Sequence, residues 1–350
     1  MSETSLKDEA AKYEDSNESA FCVVDFSTGK AVKREVNVNQ LKVIKSNIST
    51  SEDEHEILKD GTFNRQGNHF TTKFGDAEGE VEAEPNRYRL IWGEICPWSN
   101  RASIVRKLLG LEDVISVGKV NPQRTPEGWE FSLDDNGVDP VLGIQYLAEA
   151  YSASDPEYDG RATIPALVDT KTGKVVNNDY HTLTNQFEIA FKKFHKKNAP
   201  DLYPEDIRED IDALNTILFN EVNNAVYQAG FAKSQEAYEK AYDKLFRRLD
   251  WLDDRLADKK FLFGDRLTDS DVRLYVTLAR FDAAYYPEFH VNRNRLIDFT
   301  NLWRYARELY KIPAFRDTTN FESIKKGYQH RPFGIVSKGP DTRIWDDPIH

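Results

Sequence analysis

The stretch Arg87 to Gly110, RYRLIWGEICPWSNRASIVRKLLG, constrains the fold more than any other part of the chain. Tyr88 to Trp92 is β-branched and aromatic and reads as a short strand, followed by a tight turn containing Gly93. Cys96-Pro97 then opens an amphipathic helix. Proline suits the first helical turn, where its missing N–H costs nothing. Ile104, Val105, Leu108 and Leu109 recur at helical spacing, and Gly110 stops the helix. A cysteine at such a helix start faces unpaired backbone N–H groups and the positive end of the helix dipole. Both favour the thiolate, the nucleophilic form. The alternative is a buried structural thiol, since cysteine is among the most buried residue types.

Only two cysteines occur, Cys22 and Cys96, so neither a disulfide framework nor a four-ligand zinc site can be built from them alone. Cys22 lies in a weakly patterned segment and reads as structural or incidental. The seven histidines show no HExxH-like spacing, and no metal is expected. A net charge of −12 argues against nucleic acid or an anionic membrane as the main partner. The N-terminus has no apolar signal-like core, and no apolar run approaches membrane-spanning length. A soluble, reducing, cytoplasmic setting is expected, which also suits a free thiol.

The remaining pattern falls into four parts. Residues 1–55 form an N-terminal extension whose first twenty residues read as disordered, with short strands at Phe21–Phe26 and Val36–Ile44. Residues 56–198 form an α/β domain that includes an N-terminal arm holding Phe63 to Phe74. After the Cys96 helix come a strand at Val114–Val120 and a loop-rich insertion with one helix over Val138–Tyr151. A strand entered through Ile164-Pro165 and ending at Asp169 follows, then a TKTG turn, a paired strand at Lys174–Asn177 and a helix from Thr182 to Phe194. Residues 199–316 are helical throughout, with candidates at Pro204–Tyr227, Ser234–Ala257, Thr268–Tyr285 and Asn301–Leu309. Thr268-Asp269-Ser270-Asp271 has the form of a capping box. Residues 317–350 are an irregular tail with one short helix.

The strand–helix–strand, X-Pro–strand–turn–strand–helix order is that of a thioredoxin-like domain, in which a cis-proline faces the active cysteine. Pro165 is the candidate, against a trans proline at a strand edge. An α/β thioredoxin-like domain followed by an all-α domain resembles the glutathione transferase fold. The local motifs narrow the resemblance. ICPWSNRA is similar to the CPWAHR motif of the glutathionyl-hydroquinone reductases, the omega-like Xi class of glutathione transferases. GWEF (128–131), RATIPALVD (161–169), NNAVYQAGFA (223–232), LTDSDVRLYVTLARFD (267–282), NLWRYARELY (301–310) and GIVSKGP (334–340) resemble the same family in collinear order, over roughly Asp60 to Pro340.

That resemblance implies a glutathione-dependent reductase of glutathionyl-hydroquinones, with glutathione as co-substrate and no metal. Cys96 would attack the glutathionyl sulfur and expel the quinol, and a second glutathione would resolve the mixed disulfide. Ser99 stands where a dithiol oxidoreductase places its resolving cysteine. Trp129 would line the glutathione site, Ile164 and Pro165 would hold its cysteinyl unit, and Tyr227 and Tyr328 would hold the quinol. Read from the residues alone, Trp129 is equally a core anchor, Tyr227 packs on an apolar helix, and Arg101, able to orient an anion, is by default an exposed helix arginine. The chain departs from the family at Ser99 and Asn100, for Ala and His. It also has Asp179 and Tyr180 where the family's Glu-Ser pair meets the γ-glutamyl group. Asp179 keeps an acceptor for the γ-glutamyl amine, and Tyr180 cannot place a hydroxyl where the serine would. The backbone N–H groups at that helix start remain candidates for the carboxylate. Another low-molecular-weight thiol, a general thiol transferase or dehydroascorbate reductase activity, and an idle binding protein of this fold remain open. A homodimer is implied by the resemblance.

Overall fold

The computed structural model describes residues 5–13, 56–329 and 335–348. The expected strands at 21–26 and 36–44, together with Cys22, lie outside the described residues. Within the first twenty residues the expectation of disorder is overturned for one segment. Ser5 caps a helix, α1 (Leu6–Ala11), by a reciprocal bond with Asp8. Composition misses this helix because its support is tertiary. Ala10 packs against Ala213 and Ile217, while Lys7 pairs with Glu209 at 2.6 Å and Glu9 with Arg248 at 3.0 Å.

The sheet is built on β1 (Tyr88–Trp92), buried along its whole length, as expected for a central strand covered on both faces. The helix α2 (Pro97–Leu109) crosses over to β2 (Ile115–Lys119), which pairs parallel to β1. Gly110 closes α2 in the left-handed conformation, φ +74°, and its N–H returns to the carbonyls of Arg106 and Lys107. The strands β3 (Ala166–Asp169) and β4 (Lys174–Asn177) complete an order β2-β1-β3-β4, with β3 antiparallel to both neighbours. Alternation divides β1 between two cores. Tyr88, Leu90 and Trp92 join α2 and the helical domain, whereas Ile91 faces Phe131, Leu147 and Tyr151.

Between β2 and β3 the expected helix over 138–151 is confined to α3 (Leu147–Ser154). Its anticipated first half is a turn. The Asp139 carboxylate accepts the N–H groups of Val141 and Leu142, Gly143 has φ +67°, and Asp139 pairs with Arg89 at 2.8 Å in the interior. Past β4 the expected helix shortens to α4 (Leu183–Ile189) and a single 3-10 turn, Lys192–Phe194. The arm lies along the outer side of β4, where Thr72 N–H meets the carbonyl of Val176 and Asn178 N–H that of Phe70.

In the helical domain α5 (Arg208–Leu218) runs through a π turn, Phe219–Asn223, into α6 (Ala225–Gly230). The next helices are α7 (Gln235–Arg255) and α8 (Asp269–Arg280), the latter again continued by a π turn, Phe281–Tyr285. The chain closes with α9 (Thr300–Tyr310) and α10 (Phe321–Tyr328). Two helices expected to be continuous are thus widened, and each widening lies beside a tyrosine of the site described below. No helix among the described residues is long and apolar enough to cross a membrane.

Candidate active site

Cys96 is the N-cap residue of α2, in extended conformation, partly buried and packed against both cores. Its thiol donates to the carbonyl of Ile164 at 3.4 Å, and the Ile164-Pro165 peptide is cis. The strand β3 thus begins opposite the cysteine, which places a backbone carbonyl where an extended thiol compound could pair.

Three side chains fix the turn that carries the thiol. Ser99 Oγ accepts the N–H of Gly93 at 3.1 Å and donates to the carbonyl of Gly93 at 2.9 Å. Arg280, fully buried at the end of α8, reaches across the domains. It donates to the carbonyls of Glu94 and Ile95, each at 2.7 Å, and to Asn100 Oδ1 at 3.1 Å. Asn100 in turn donates to the Thr318 carbonyl and hydroxyl at 3.0 and 3.1 Å. Ser99 and Asn100, the departures from the CPWAHR pattern, are therefore both embedded in the turn. Periodicity does not reveal Arg280. The available signal is a cation on the buried side of an apolar-periodic helix.

The electrostatics correct the expectation of a favoured thiolate. Burial is the largest influence and pushes the Cys96 thiol above its ordinary value. Hydrogen bonding from Ser99, the charge of Arg280 and the Trp98 N–H pull it the other way without overcoming burial.

Tyr227 and Tyr328, far apart in sequence, meet through their hydroxyls at 2.5 Å. A third tyrosine, expected only as the end of a helix, completes the group: Tyr285 Oη lies 3.1 Å from that of Tyr227 and 3.5 Å from that of Tyr328. Burial holds all three phenols above their ordinary value. Tyr328 arrives on α10, which is anchored to the cysteine turn. Glu94 accepts Asn320 Nδ2 at 3.0 Å and Ser323 Oγ at 2.6 Å.

The remaining expected residues lie around this centre. Trp129 is partly exposed, packs on the second core and carries the Arg124 guanidinium 5.8 Å from its ring. Tyr180 is buried in an aromatic stack with Trp98 at 5.2 Å and Phe219 at 6.0 Å. The Asp179 carboxylate accepts Asn68 Nδ2 at 2.8 Å, His181 N–H at 3.0 Å and Thr182 Oγ1 at 2.5 Å. Arg101 is buried rather than exposed, contrary to the default for a helix arginine. Burial, aided by Arg273, pushes its guanidinium down to about 9, and its Nε has no hydrogen-bond partner. Among the described residues no group of three His, Cys, Asp or Glu is placed to hold a metal ion.

Comparison with known proteins gives the family. Residues 95–181 match the N-terminal domain and residues 235–308 the C-terminal domain of glutathione S-transferases. The glutathionyl-hydroquinone reductase YqjG of Escherichia coli is 40% identical over 276 residues, covering 77% of this chain and 83% of that protein. The crystal structure of the glutathione S-transferase Xi from Phanerochaete chrysosporium superposes with a TM-score of 0.77 at 39% identity, covering 82% and 95% of the two chains. The glutathione-bound structure of YqjG gives 0.74 at 37% identity, covering 83% and 97%. With its thioredoxin-like sheet, cysteine-capped helix and helical second domain, the chain belongs to the glutathionyl-hydroquinone reductases, the Xi class of the glutathione S-transferase family.

Proposed function

We propose that this chain reduces glutathionyl-hydroquinones with glutathione, using Cys96 as nucleophile. The observation that carries the reading is the thiol of Cys96, at the start of α2 and bonded to the Ile164 carbonyl, on a turn whose Trp98 packs 6.2 Å from Tyr227 and whose Glu94 holds the helix of Tyr328, so that the group of three tyrosine hydroxyls is tied to the same turn. The deprotonated Cys96 sulfur forms a bond to the glutathionyl sulfur. The carbon–sulfur bond of the conjugate breaks, its electron pair goes to the ring carbon, and that carbon takes up a proton. Tyr227 and Tyr328 keep their protons at neutral pH and stand as the donors. A second glutathione thiolate then attacks the mixed disulfide, giving oxidised glutathione and the free Cys96 thiolate. Because that thiol comes from solution, Ser99 suffices where a dithiol enzyme needs a second cysteine.

Trp129, Ile164, Pro165, Asp179 and Tyr180 form the proposed glutathione wall, and Arg101 lends it positive charge. Family resemblance supports a homodimer, and dependence on a free thiol supports a reducing cytoplasm. The test is intact mass after incubation with a glutathionyl-hydroquinone. Wild type should gain one glutathione, reversibly with added thiol, and release free hydroquinone; Cys96→Ser should do neither. No adduct from the conjugate, with an adduct of one glutathione formed on Cys96 from glutathione disulfide, would convert the reading to a general thiol transferase.

A further inference from the structure

The arm outside both matched family segments carries a cation that nothing in the reaction described so far employs. Arg65 lies among three aromatic rings. Its guanidinium carbon is 4.6 Å from the ring centre of Tyr227, 5.2 Å from that of Trp98 and 5.3 Å from that of Phe63. Nε donates to Asn224 Oδ1 at 2.9 Å. Nη2 is buried with no hydrogen-bond partner, and among the described residues no carboxylate pairs with this guanidinium. Arg65 is half-buried, and a guanidinium N–H end shut away from water without an acceptor is unfavourable, a cost that ring faces offset only in part.

The anion it lacks is supplied by the ligand of the proposed site. Three residues along the arm, Asn68 is bonded to Asp179, where the family resemblance places the γ-glutamyl end of glutathione. Four backbone donors at that turn are already engaged. Asp179 N–H goes to Asn177 Oδ1 and His181 N–H to the Asp179 carboxylate, while the N–H groups of Thr182 and Leu183 go to the Asp179 carbonyl. The side chain of Tyr180 is stacked on Trp98, the same ring that Arg65 covers. A carboxylate arriving here therefore finds neither a serine hydroxyl nor a free N–H at residues 181–183. Arg65 stands beside that ring with N–H donors to spare.

We propose that Arg65 binds the α-carboxylate of the γ-glutamyl residue of glutathione, replacing the hydroxyl that Tyr180 cannot supply. The assignment rests on the glutathione reading above and makes the arm part of the binding site. Stacking suits arginine for this task. Its guanidinium is weakly hydrated and keeps its N–H donors available in its plane while its faces contact rings.

The test uses the full chain and measures binding rather than turnover. Two ligands are titrated: S-methylglutathione, and the same peptide with its γ-glutamyl α-carboxylate converted to an amide. Arg65→Gln should bind S-methylglutathione about tenfold more weakly than wild type, the size of a lost charge-assisted hydrogen bond. Arg65→Lys should recover part of the loss. The amide should bind wild type and Arg65→Gln alike. Equal affinity of wild type and Arg65→Gln for S-methylglutathione would overturn the assignment. So would an equal loss for both ligands, which would make Arg65 a support of the site rather than a carboxylate partner. A fall in quinol release with S-methylglutathione affinity unchanged would move the cation to the quinol and overturn it too. Failure of wild type to bind S-methylglutathione at all would instead remove the glutathione reading on which the assignment stands.

Discussion

Arg280 Nε donates to the carbonyl of Ile95, the residue before Cys96, at 2.7 Å. The bond crosses from the helical domain to the turn that carries the thiol, so the geometry of the nucleophile depends on both halves of the chain. The same guanidinium supplies the positive charge that opposes the effect of burial on Cys96. The first prediction follows from removing it.

Arg280→Gln should raise the Cys96 pKa further, because the charge that favours thiolate is lost while burial persists. The thiol of the free wild-type chain already titrates above its ordinary value, so its reactivity should climb with pH on the alkaline side of neutrality. In the variant the rate of alkylation by iodoacetamide should climb at still higher pH. Arg280→Lys should fall between them. A midpoint that moves down, or stays in place, would show that Arg280 acts on the loop alone.

Gly327 fits the penultimate position of α10 because a side chain there has no room. A Cβ would lie 2.2 Å from Ile95 Cδ1 and 2.9 Å from the Pro122 carbonyl oxygen. Ile95 can rotate, but the backbone carbonyl cannot yield in that way. Gly327→Val should push α10 outward and carry Tyr328 away from Tyr227. A displacement of that kind costs about a hundredfold in rate where positioning matters. Quinol release should fall accordingly while the far-ultraviolet circular dichroism is kept. Undiminished turnover would detach Tyr328 from the chemistry.

Tyr227→Phe and Tyr328→Phe should each slow quinol release by about a hundredfold, the usual scale for loss of a positioned proton donor. Their hydroxyls share one hydrogen bond, so the double variant should cost much less than the product of the single losses. Tyr285→Phe should have a smaller effect, since its hydroxyl supports the other two at 3.1 and 3.5 Å. Unchanged quinol formation in both Tyr227→Phe and Tyr328→Phe would sink the donor role.

The parts of this molecule that a sequence can disclose are those set by local period and local stereochemistry. Tyr88–Trp92 followed by Cys-Pro and a helical apolar repeat specifies a strand, turn and capped helix. An Ile-Pro pair at the mouth of a strand marks Pro165, whose peptide bond is cis. What sequence leaves hidden depends on partners far along the chain. The α1 helix is polar by composition and stands because Glu9 and Ala10 find Arg248 and Ile217. Arg280 and Tyr285 acquire their neighbours only when the two domains meet. The direction in which Cys96 titrates is decided by burial, a property of the assembled core that outweighs the helix-start argument. The turn at 138–146 was obscured because Asp139 answers to Arg89 on β1 rather than to helical spacing.

The capping box of α8 gives the last prediction. Asp271 is fully buried, and its carboxylate accepts four hydrogen bonds. The donors are Thr268 N–H at 2.8 Å, Thr268 Oγ1 at 3.0 Å, Leu262 N–H at 2.9 Å and Tyr305 Oη at 2.8 Å. One side chain therefore ties the start of α8 to the segment before it and to α9. Asp271→Ala would leave several of these donors buried and unsatisfied, at about 1–3 kcal/mol for each group that water cannot reach. The expected loss in chemical denaturation is about 3 kcal/mol, allowing for partial entry of water. Asp271→Asn keeps an acceptor and should lose less. Because α8 ends at Arg280, the alanine variant should also raise the pH at which Cys96 becomes reactive. A stable variant with wild-type thiol reactivity would show that the cap is local to the helix start and that α8 holds Arg280 in place without it.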